Sequence, residues 1–405
     1  MEKLKLVLLK DIEKANMVIS GKIFQTPLIY SPYLSNHTEC EVYLKLENLQ
    51  NTGSFKVRGA TYIIQTQLNH IASGGVIAAS AGNHAQGVAL AALDAGVPAT
   101  IIMPKWASIM KQEATRIYGA NVILDGNNIS QSIERAKELA SSGMTFIHPF
   151  DDPLIIAGQG TIALEIFNQL PDPDFIIVPI GGGGLIGGIA TATKSIRSET
   201  TIIGVQANAC PSAYLSQKLG SITSVEAKKT IADGIAVKQP GITTFQIIKE
   251  KVDRIVLVNE EEIAHAVLTL LEHNKILAEG AAAVSVGALL DSSISIPKGS
   301  RVVLVISGGN VDTPLLDRIL GQGLRKNERI IKFSVYLDDR PGSLSKLLRL
   351  ISKNQANVLH IFHIRNEKDL PIYQSRVGIE LETRNKNHII KITNALKNAG
   401  YYIEF

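Results

Sequence analysis

The nine residues at positions 51–59 read Asn51-Thr52-Gly53-Ser54-Phe55-Lys56-Val57-Arg58-Gly59. They follow an apolar run at 42–46 that is typical of a β-strand, and they place one lysine between small residues and a glycine. A lysine amine can form a Schiff base with an aldehyde, and an environment that lowers its pKa makes it a usable base. Because most lysines are solvated surface charges, this stretch becomes informative only together with three further motifs.

Two glycine-bearing turns follow predicted strands. The first, Ser80-Ala81-Gly82-Asn83-His84, lies between a run at 76–79 and an alanine-rich helical pattern at 85–95; the second, Gly181-Gly182-Gly183-Gly184-Leu185, follows a run at 175–180. A helix that starts directly after such a turn offers free N–H groups and a favourable dipole to an anion. Four consecutive glycines cost chain entropy, which indicates a backbone that wraps closely round a ligand, most simply a phosphate.

Each turn also has a plainer interpretation. The first is compatible with an ordinary βα turn in which Asn83 and His84 cap the helix, and the second with a flexible surface loop. No Gly-Lys-Ser/Thr follows the glycines, so the second is not a nucleotide P-loop. Thr201 stands about where a dinucleotide site would carry an acidic residue, which makes a dinucleotide a weaker candidate than a single phosphate.

The fourth motif, Ser307-Gly308-Gly309-Asn310, follows an apolar run at 302–306. It places a hydroxyl at the carboxyl end of a strand, which is where open α/β sheets bind ligands. Taken alone, Ser307 is better explained as a serine that caps the end of a strand.

Length and composition indicate an ordinary globular protein of two or three domains. The chain has 405 residues, 45% hydrophobic and 19% charged, with a net charge of +4 that gives no reason to propose nucleic acid or an anionic membrane as a partner. Cys40 and Cys210 form no CxxC pair, which favours a reducing cytosol over a disulfide scaffold or structural zinc. The charged N-terminus is typical of an amphipathic helix and not of a signal peptide. No apolar run approaches the roughly 20 residues that span a bilayer, so we expect a cytoplasmic protein.

Strand and helix patterns alternate from residue 42 to 306, which predicts parallel sheets covered by helices. A polar, glycine-bearing segment at 321–329 is predicted to be a linker, and the order after it is βαββαβ, as in ferredoxin-like folds. The predicted strands of the first part are residues 42–46, 76–79, 100–103, 122–124, 145–148, 175–180, 201–205, 254–258 and 302–306, with helices that include 129–140 and 261–273. In the second part, strands are predicted at 331–337, 358–365, 372–382 and 401–405, and helices at 344–354 and 388–398.

Together the four motifs resemble those of the fold-type II pyridoxal-phosphate (PLP) enzymes, and closely those of the threonine ammonia-lyase (threonine dehydratase) family. The resemblance covers the whole chain and includes the further stretches 157–161, 230–237 and 278–282. It implies an α/β, tryptophan synthase beta-like catalytic region over 1–325, in which a smaller lobe at about 46–147 is inserted in a larger one and the cofactor lies between them. A linker at 326–330 would lead to an ACT-like domain at 331–405.

The resemblance also implies a role for each motif. Lys56 would bind PLP as a Schiff base and take the Cα proton, with Phe55 beside it, and Asn83 would bind the 3′-oxygen of PLP. The phosphate would lie on Gly181, Gly182, Gly183, Gly184 and Leu185, where it could protonate the leaving hydroxyl group. The backbone of Ser80, Ala81, Gly82, Asn83 and His84 would hold the substrate carboxylate.

Ser307 would face the ring nitrogen of PLP. A ring nitrogen that faces a hydroxyl group, and not a carboxylate, stays neutral and is a weaker electron sink, which favours prompt β-elimination.

Two departures separate this chain from relatives of the same fold. Serine racemases carry a second serine where this chain has Ala81, and a methyl group cannot supply a proton to the opposite face of the substrate. The metal-binding stretch of those relatives corresponds to residues 207–214, which contain no acidic ligand. We therefore expect no divalent metal site; a monovalent cation on backbone carbonyls stays open.

The implied reaction converts L-threonine to 2-oxobutanoate and ammonia, with L-serine as a slower substrate. The alternatives are an L-serine dehydratase or another β-eliminating enzyme, and a catalytically inert amino-acid sensor. The pathway stays open between isoleucine biosynthesis and threonine breakdown.

The turn Asp339-Arg340-Pro341-Gly342-Ser343-Leu344 resembles the ligand-binding turn of ACT domains, which bind small amino acids at subunit interfaces. This implies an allosteric amino-acid effector, of unknown identity and sign, in a homo-oligomer (dimer or tetramer). The alternative is a domain that serves only for dimerisation, because a fold alone does not establish a site.

Overall fold

The computed structural model describes residues 6–71, 73–291, 293–366 and 370–405. They form two compact units, Met1–Leu316 and Asp317–Phe405. The strands of the first unit are β1 (Leu28–Tyr30), β2 (Glu41–Leu46), β3 (Val76–Ala79), β4 (Ala99–Met103), β5 (Asn121–Leu124), β6 (Thr145–Phe146), β7 (Phe175–Pro179), β8 (Thr201–Ala207), β9 (Arg254–Val258) and β10 (Arg301–Ile306).

The helices around these strands are α1 (Leu9–Ile19), α2 (Pro32–Thr38), α3 (Lys56–Gln67), α4 (Asn83–Asp94), α5 (Ile109–Arg116), α6 (Ile129–Ser141), α7 (Pro153–Gln169), α8 (Gly184–Ile196), α9 (Ser212–Leu219), α10 (Ile242–Lys251), α11 (Glu260–Thr269) and α12 (Gly280–Leu290). A further helix, α13 (Thr313–Lys326), begins at the end of the first unit and continues into the second. Among the described helices, we find none that is both long and apolar enough to cross a membrane.

The strands of the first unit form two sheets. One has six strands in the order β1-β2-β10-β7-β8-β9, parallel except for β1, which runs antiparallel to β2. The other has four parallel strands in the order β5-β4-β3-β6. β3, β4 and the body of β10 are fully buried runs of apolar residues, as expected for parallel strands that helices cover on both faces. The predicted α/β class is therefore confirmed.

Several bounds differ from the predicted ones by one or two residues, and two features of the first unit were missed. Strand β1 was not predicted, because three residues with no fully buried side chain leave no periodic signal. The pattern at 261–273 is not one α-helix, since α11 ends at Thr269 and a π-helical turn, Leu270–Asn274, follows it.

The predicted linker at 321–329 is largely helical. Helix α13 continues to Lys326, with Ile319 and Gly323 on its buried side. Glycine inside a helix costs only about 1 kcal/mol relative to alanine, and the apolar positions of this helix outweigh that cost. The second compact unit accordingly begins at Asp317, earlier than the boundary at 325 that the polar composition suggested.

The second unit has the predicted βαββαβ order. It consists of β11 (Ile330–Asp338), α14 (Ser343–Lys353), β12 (Asn357–Ile364), β13 (Gln374–Glu382), α15 (Lys386–Asn398) and β14 (Ile403–Glu404). The strands form an antiparallel sheet in the order β12-β13-β11-β14, and the helices pack on it around a small apolar core that includes Phe333, Leu347 and Leu396. Its order and its antiparallel sheet are those of an ACT-like domain.

Candidate active site

Lys56 is the first residue of α3, directly after Phe55. Its Nζ atom donates a hydrogen bond of 2.7 Å to the backbone carbonyl oxygen of Pro149. Burial lowers the pKa of Lys56 from its ordinary 10.5 to about 8, although the Glu279 carboxyl group opposes the shift. The predicted reactive lysine is thus an amine that loses its proton far more easily than a surface lysine does.

Ser307 lies beside the segment that carries Lys56, although about 250 residues separate them in sequence. β10 runs parallel to β2, so the two strands end at the same edge of the sheet. Beyond that edge, the N–H group of Phe55 donates to the carbonyl oxygen of Ser307 at 3.1 Å, and Ser54 pairs with Gly308 in an isolated β-bridge. Ser307 is almost fully buried.

Asn83, the first residue of α4, is held by two side chains to which no role was assigned from sequence. Its Nδ2 atom donates to Oε1 of Glu279, and its Oδ1 atom accepts from Nδ2 of Asn310, each at 2.8 Å. Gly308 packs against the Asn83–Glu279 pair, and a Cβ atom there would be 2.7 Å from Oε1 of Glu279 and 3.2 Å from Nδ2 of Asn83. Any larger residue at this position of the Ser307–Asn310 motif would therefore displace the Glu279 side chain.

The tetraglycine leads into α8 through Gly183, whose φ of +96° favours glycine. The first hydrogen bond that closes a turn of α8 runs from the N–H of Gly187 to the carbonyl of Gly183. The N–H groups of Gly184, Leu185 and the next residue therefore have no acceptor within the helix. This is the free helix N-terminus that was predicted from sequence as a phosphate site.

A turn at 148–152 links Lys56 to the tetraglycine. It supplies the Pro149 carbonyl, and the Phe150 ring occupies the space in which a Cβ atom on Gly182 would lie. His148 Nδ1 accepts hydrogen bonds from the N–H groups of Phe150 and Asp151, which stabilises this turn. Burial lowers the pKa of His148 to about 4, so the ring is neutral at physiological pH.

The carboxylate of Asp151 extends this link to α10. It accepts hydrogen bonds from three consecutive N–H groups at the start of that helix, and the hydroxyl group of Thr244 on α10 donates to the carbonyl of Gly182 at 2.6 Å. The turn at 148–152 was not predicted from sequence. Its only signal there was a histidine and two aspartates at the end of a predicted strand.

The segment Ser80–His84 forms the turn between β3 and α4. The Ser80 hydroxyl group accepts a hydrogen bond from the N–H of Gly82 at 3.1 Å, and the space beside Gly82 is open. The His84 side chain is buried, and its Nε2 atom lies 3.1 Å from the carbonyl oxygen of Ile147. Burial lowers the pKa of His84 to about 3. What this turn offers a ligand is therefore mainly its backbone and the Asn83 side chain.

Glu279 is the unexpected ionisable group of the site. It is buried, and burial together with the nearby Asp233 carboxylate raises its pKa to about 8, while the hydrogen bond from Asn83 opposes the shift. Glu279 therefore carries a proton at neutral pH and can act as a donor as well as an acceptor. Its stretch, 278–282, contributed to the family resemblance, but this residue had been assigned no role.

A buried ion network lies beneath the start of α3. Arg58, two residues after Lys56, donates to Glu47 at 2.7 and 2.8 Å and to Glu165 at 2.6 and 3.0 Å. Lys45 also donates to Glu165, at 2.6 Å. The four charges balance, so the network ties β2, α3 and α7 together without an unpaired buried ion.

These residues fit pyridoxal phosphate. The site provides an amine of lowered pKa for the aldehyde, free N–H groups at α8 for the phosphate, and an amide and a hydroxyl group for the ring. Within the described part of the chain, the buried hydroxyl groups of Thr52 and Ser54 on the loop before Lys56 lack a hydrogen-bond partner. Such orphaned polar atoms are expected where a polar ligand completes a site.

Comparison with known proteins agrees with this geometry. The family described as "Pyridoxal-phosphate dependent enzyme" matches residues 19–308. An L-threonine ammonia-lyase of Thermotoga maritima is 48% identical over 399 residues, which are 98% of this chain and 99% of that protein.

Two solved structures have the same fold. A threonine deaminase of T.th. superposes with a TM-score of 0.71 at 38% identity, covering 75% of this chain and 99% of that one. A maize serine racemase superposes with a TM-score of 0.75 at 31% identity, covering 80% of this chain and 100% of that one. The chain therefore belongs to the family of pyridoxal-phosphate dependent enzymes.

Proposed function

We propose that this chain is a PLP-dependent L-threonine ammonia-lyase, which converts L-threonine to 2-oxobutanoate and ammonia and accepts L-serine as a slower substrate. The observation that carries the proposal is the buried Lys56 amine of lowered pKa, which interacts with Glu279, the hydrogen-bond partner of Asn83, and is linked through one turn to the N-terminus of α8. The near full-length similarity to a protein named L-threonine ammonia-lyase supports the choice of substrate.

Bound PLP supplies the electron sink that makes the Cα proton of the substrate acidic. Lys56 would hold PLP through its aldehyde, and its free amine would take the Cα proton of the substrate. The second role needs a neutral amine. With a pKa of about 8 in place of 10.5, far more of the amine is neutral near neutral pH than in an ordinary lysine. The Pro149 carbonyl holds the amine in place.

The remaining residues bind and orient. The backbone N–H groups of Gly181–Gly184 and Leu185 would hold the phosphate, and Asn83 would donate to the 3′-oxygen. Ser307 would offer the ring nitrogen a hydroxyl group and not a carboxylate. The backbone of residues 80–84, at the start of α4, holds the carboxylate of the substrate.

Ala81 favours elimination over racemisation. The maize serine racemase shows that this fold also carries out racemisation, so fold alone does not decide between the two reactions. A racemase needs a proton donor on the face opposite Lys56, and the methyl group of Ala81 cannot provide one. The alternative within the same class is an enzyme that prefers L-serine.

The test compares Lys56→Ala with Lys105→Ala, a matched change at an exposed lysine of the same unit. We expect the wild type and Lys105→Ala to release ammonia from threonine faster than from serine, and Lys56→Ala to be folded but inactive. Substantial threonine deamination by folded Lys56→Ala would overturn the proposal, and a clear preference of the wild type for serine would favour the alternative.

We further propose that the second unit regulates the first. Its turn Asp339–Leu344 leads into α14 through Gly342, at φ +90°, and Arg365 pairs with Asp339 at 3.1 Å. Free N–H groups at the start of α14 can bind the carboxylate of an amino-acid effector, and an effector acts only if it distinguishes two states of the enzyme. A homo-oligomer would place this unit at a subunit interface.

Truncation after Lys326, which keeps α13 whole, tests this regulation. We expect a folded, PLP-bound enzyme whose threonine kinetics no longer respond to isoleucine or valine, in contrast to the full chain. If the full chain neither responds to nor binds any amino acid at this unit, the unit is better regarded as an assembly module.

A further inference from the structure

Asn310, the last residue of the Ser307–Asn310 motif, has no role in the function proposed above. Its Nδ2 atom donates two hydrogen bonds of 2.8 Å, one to the backbone carbonyl oxygen of Thr52 and one to Oδ1 of Asn83. Asn310 therefore joins the loop before Lys56 to the first residue of α4.

The contact with Thr52 determines which end of the Asn310 amide faces Asn83. A backbone carbonyl only accepts hydrogen bonds, so the Asn310 atom that lies between Thr52 and Asn83 must be the NH2 group. The second hydrogen of that group needs an acceptor. Asn83 consequently presents its carbonyl oxygen to Asn310 and its own NH2 group to the other side.

On that other side, Nδ2 of Asn83 donates to Oε1 of Glu279. This uses one of its two hydrogens, and the described part of the chain provides no second acceptor, so the other N–H is free for a ligand. Glu279 alone does not fix the orientation of the amide, because burial raises its pKa to about 8 and a protonated carboxyl group can face either end of an amide.

We propose that Asn310 is a positioning residue, which orients the Asn83 amide so that its N–H group, and not its carbonyl oxygen, faces the 3′-oxygen of PLP. The inference rests on the proposed function, in which Asn83 binds that oxygen. An N–H donor stabilises negative charge on the oxygen, whereas a carbonyl oxygen in its place would repel it. One rotation of the amide thus exchanges a favourable contact for an unfavourable one.

The test replaces the donor at 310 and follows the bound cofactor. Asn310→Asp keeps the size of the side chain but presents only acceptors, so Asn83 should rotate its NH2 group towards position 310. Asn310→Ala removes the contact without adding charge. The matched control is Asn48→Asp, since Asn48 also donates to a backbone carbonyl, that of Leu277 at 3.1 Å, without contacting Asn83.

Two quantities are measured, the dissociation constant of PLP and the pH at which its visible absorption band changes. We expect both Asn310 variants to shift the band and to bind PLP about tenfold more weakly, as for the loss of one hydrogen bond to a charged group. Asn48→Asp should match the wild type. In an Asn83→Ala background, Asn310→Asp should have no further effect on the band, because no amide remains to be rotated.

Wild-type values in both Asn310 variants would overturn the inference, and so would an effect of undiminished size in the Asn83→Ala background. Circular dichroism establishes whether each variant is folded. If Asn310→Asp does not fold, the inference is tested with Asn310→Ala alone. A wild-type protein that fails to bind PLP would overturn the proposed function itself, and the inference with it. Normal binding by the wild type together with unaltered Asn310 variants would overturn only the inference.

Discussion

Replacing Gly182 with alanine should weaken PLP binding and destabilise the protein, whereas the same change at Gly187 should do neither. A Cβ atom on Gly182 would overlap the ring of Phe150, with three ring carbons closer than the 3.0 Å that real Cβ atoms keep. A Cβ atom on Gly187 would meet nothing closer than 3.7 Å. Both glycines belong to the segment 181–188, so each variant controls for the other.

The contacts set the size of each effect. Overpacking of this kind costs about 1–3 kcal/mol of stability. If the loop moves away from Phe150 to relieve the overlap, at least one N–H bond to the phosphate is lost, which costs about 1.5–3 kcal/mol, or roughly 10- to 150-fold in the dissociation constant. Gly187 lies inside α8, where alanine is favoured over glycine by about 0.5–1 kcal/mol.

The assay is equilibrium dialysis of PLP against the apoprotein, with urea unfolding of the same samples. We expect weaker binding and a lower unfolding midpoint for Gly182→Ala, and unchanged binding with an equal or higher midpoint for Gly187→Ala. A Gly182→Ala variant that matched the wild type in both would refute the assignment of the phosphate to this loop. Equal losses in the two variants would show that any added methyl group disturbs the segment.

Two further predictions concern the ring and the buried carboxyl group. Ser307→Asp should slow ammonia release relative to exchange of the Cα proton for deuterium, because a carboxylate would protonate the ring nitrogen; an unchanged ratio would mean that Ser307 does not face it. The folded-state pKa of Glu279, about 8, exceeds its ordinary value of 4.5. Its contribution to stability is therefore complete below about pH 4.5 and is lost as the pH rises towards about 8. Between about pH 5 and pH 7, the free energy of unfolding of the apoprotein, measured with urea, should fall by about 2 kcal/mol more in the wild type than in Glu279→Gln. Parallel pH profiles of the two proteins would contradict this.

Most strands of the first unit could be predicted because they are short apolar runs, rich in β-branched residues and bounded by turns. The predictions at 76–79 and 254–258 have the same bounds as β3 and β9. The failures have a common cause. β1 is a three-residue strand held by its pairing with β2, and the helical part of the predicted linker has only a few buried positions; local composition reports neither.

The residues of the candidate site were likewise predictable from sequence only in part. Lys56, the tetraglycine and Ser307 each stand at a strand end or helix start, so their local sequence indicates where they lie. Asn310 and Glu279 act through contacts with Asn83, about 200 residues away, which depend on how the chain folds and not on local sequence. The spacing of these residues along the chain does not predict such contacts; they can be identified only once the fold is known.

The two lysines of this region show why burial alone does not identify a reactive amine. Lys45 is fully buried and burial lowers its pKa too, but the Glu165 and Glu47 carboxylates oppose that shift, and Lys45 is paired with Glu165 at 2.6 Å. Within the described chain, Lys56 forms no ion pair and donates to the neutral carbonyl of Pro149. A carboxylate partner stabilises the ammonium form, whereas a carbonyl leaves the amine free to lose its proton. Arg58, two residues after Lys56, pairs with both Glu47 and Glu165, so these two buried carboxylates are already neutralised by charges other than that of Lys56.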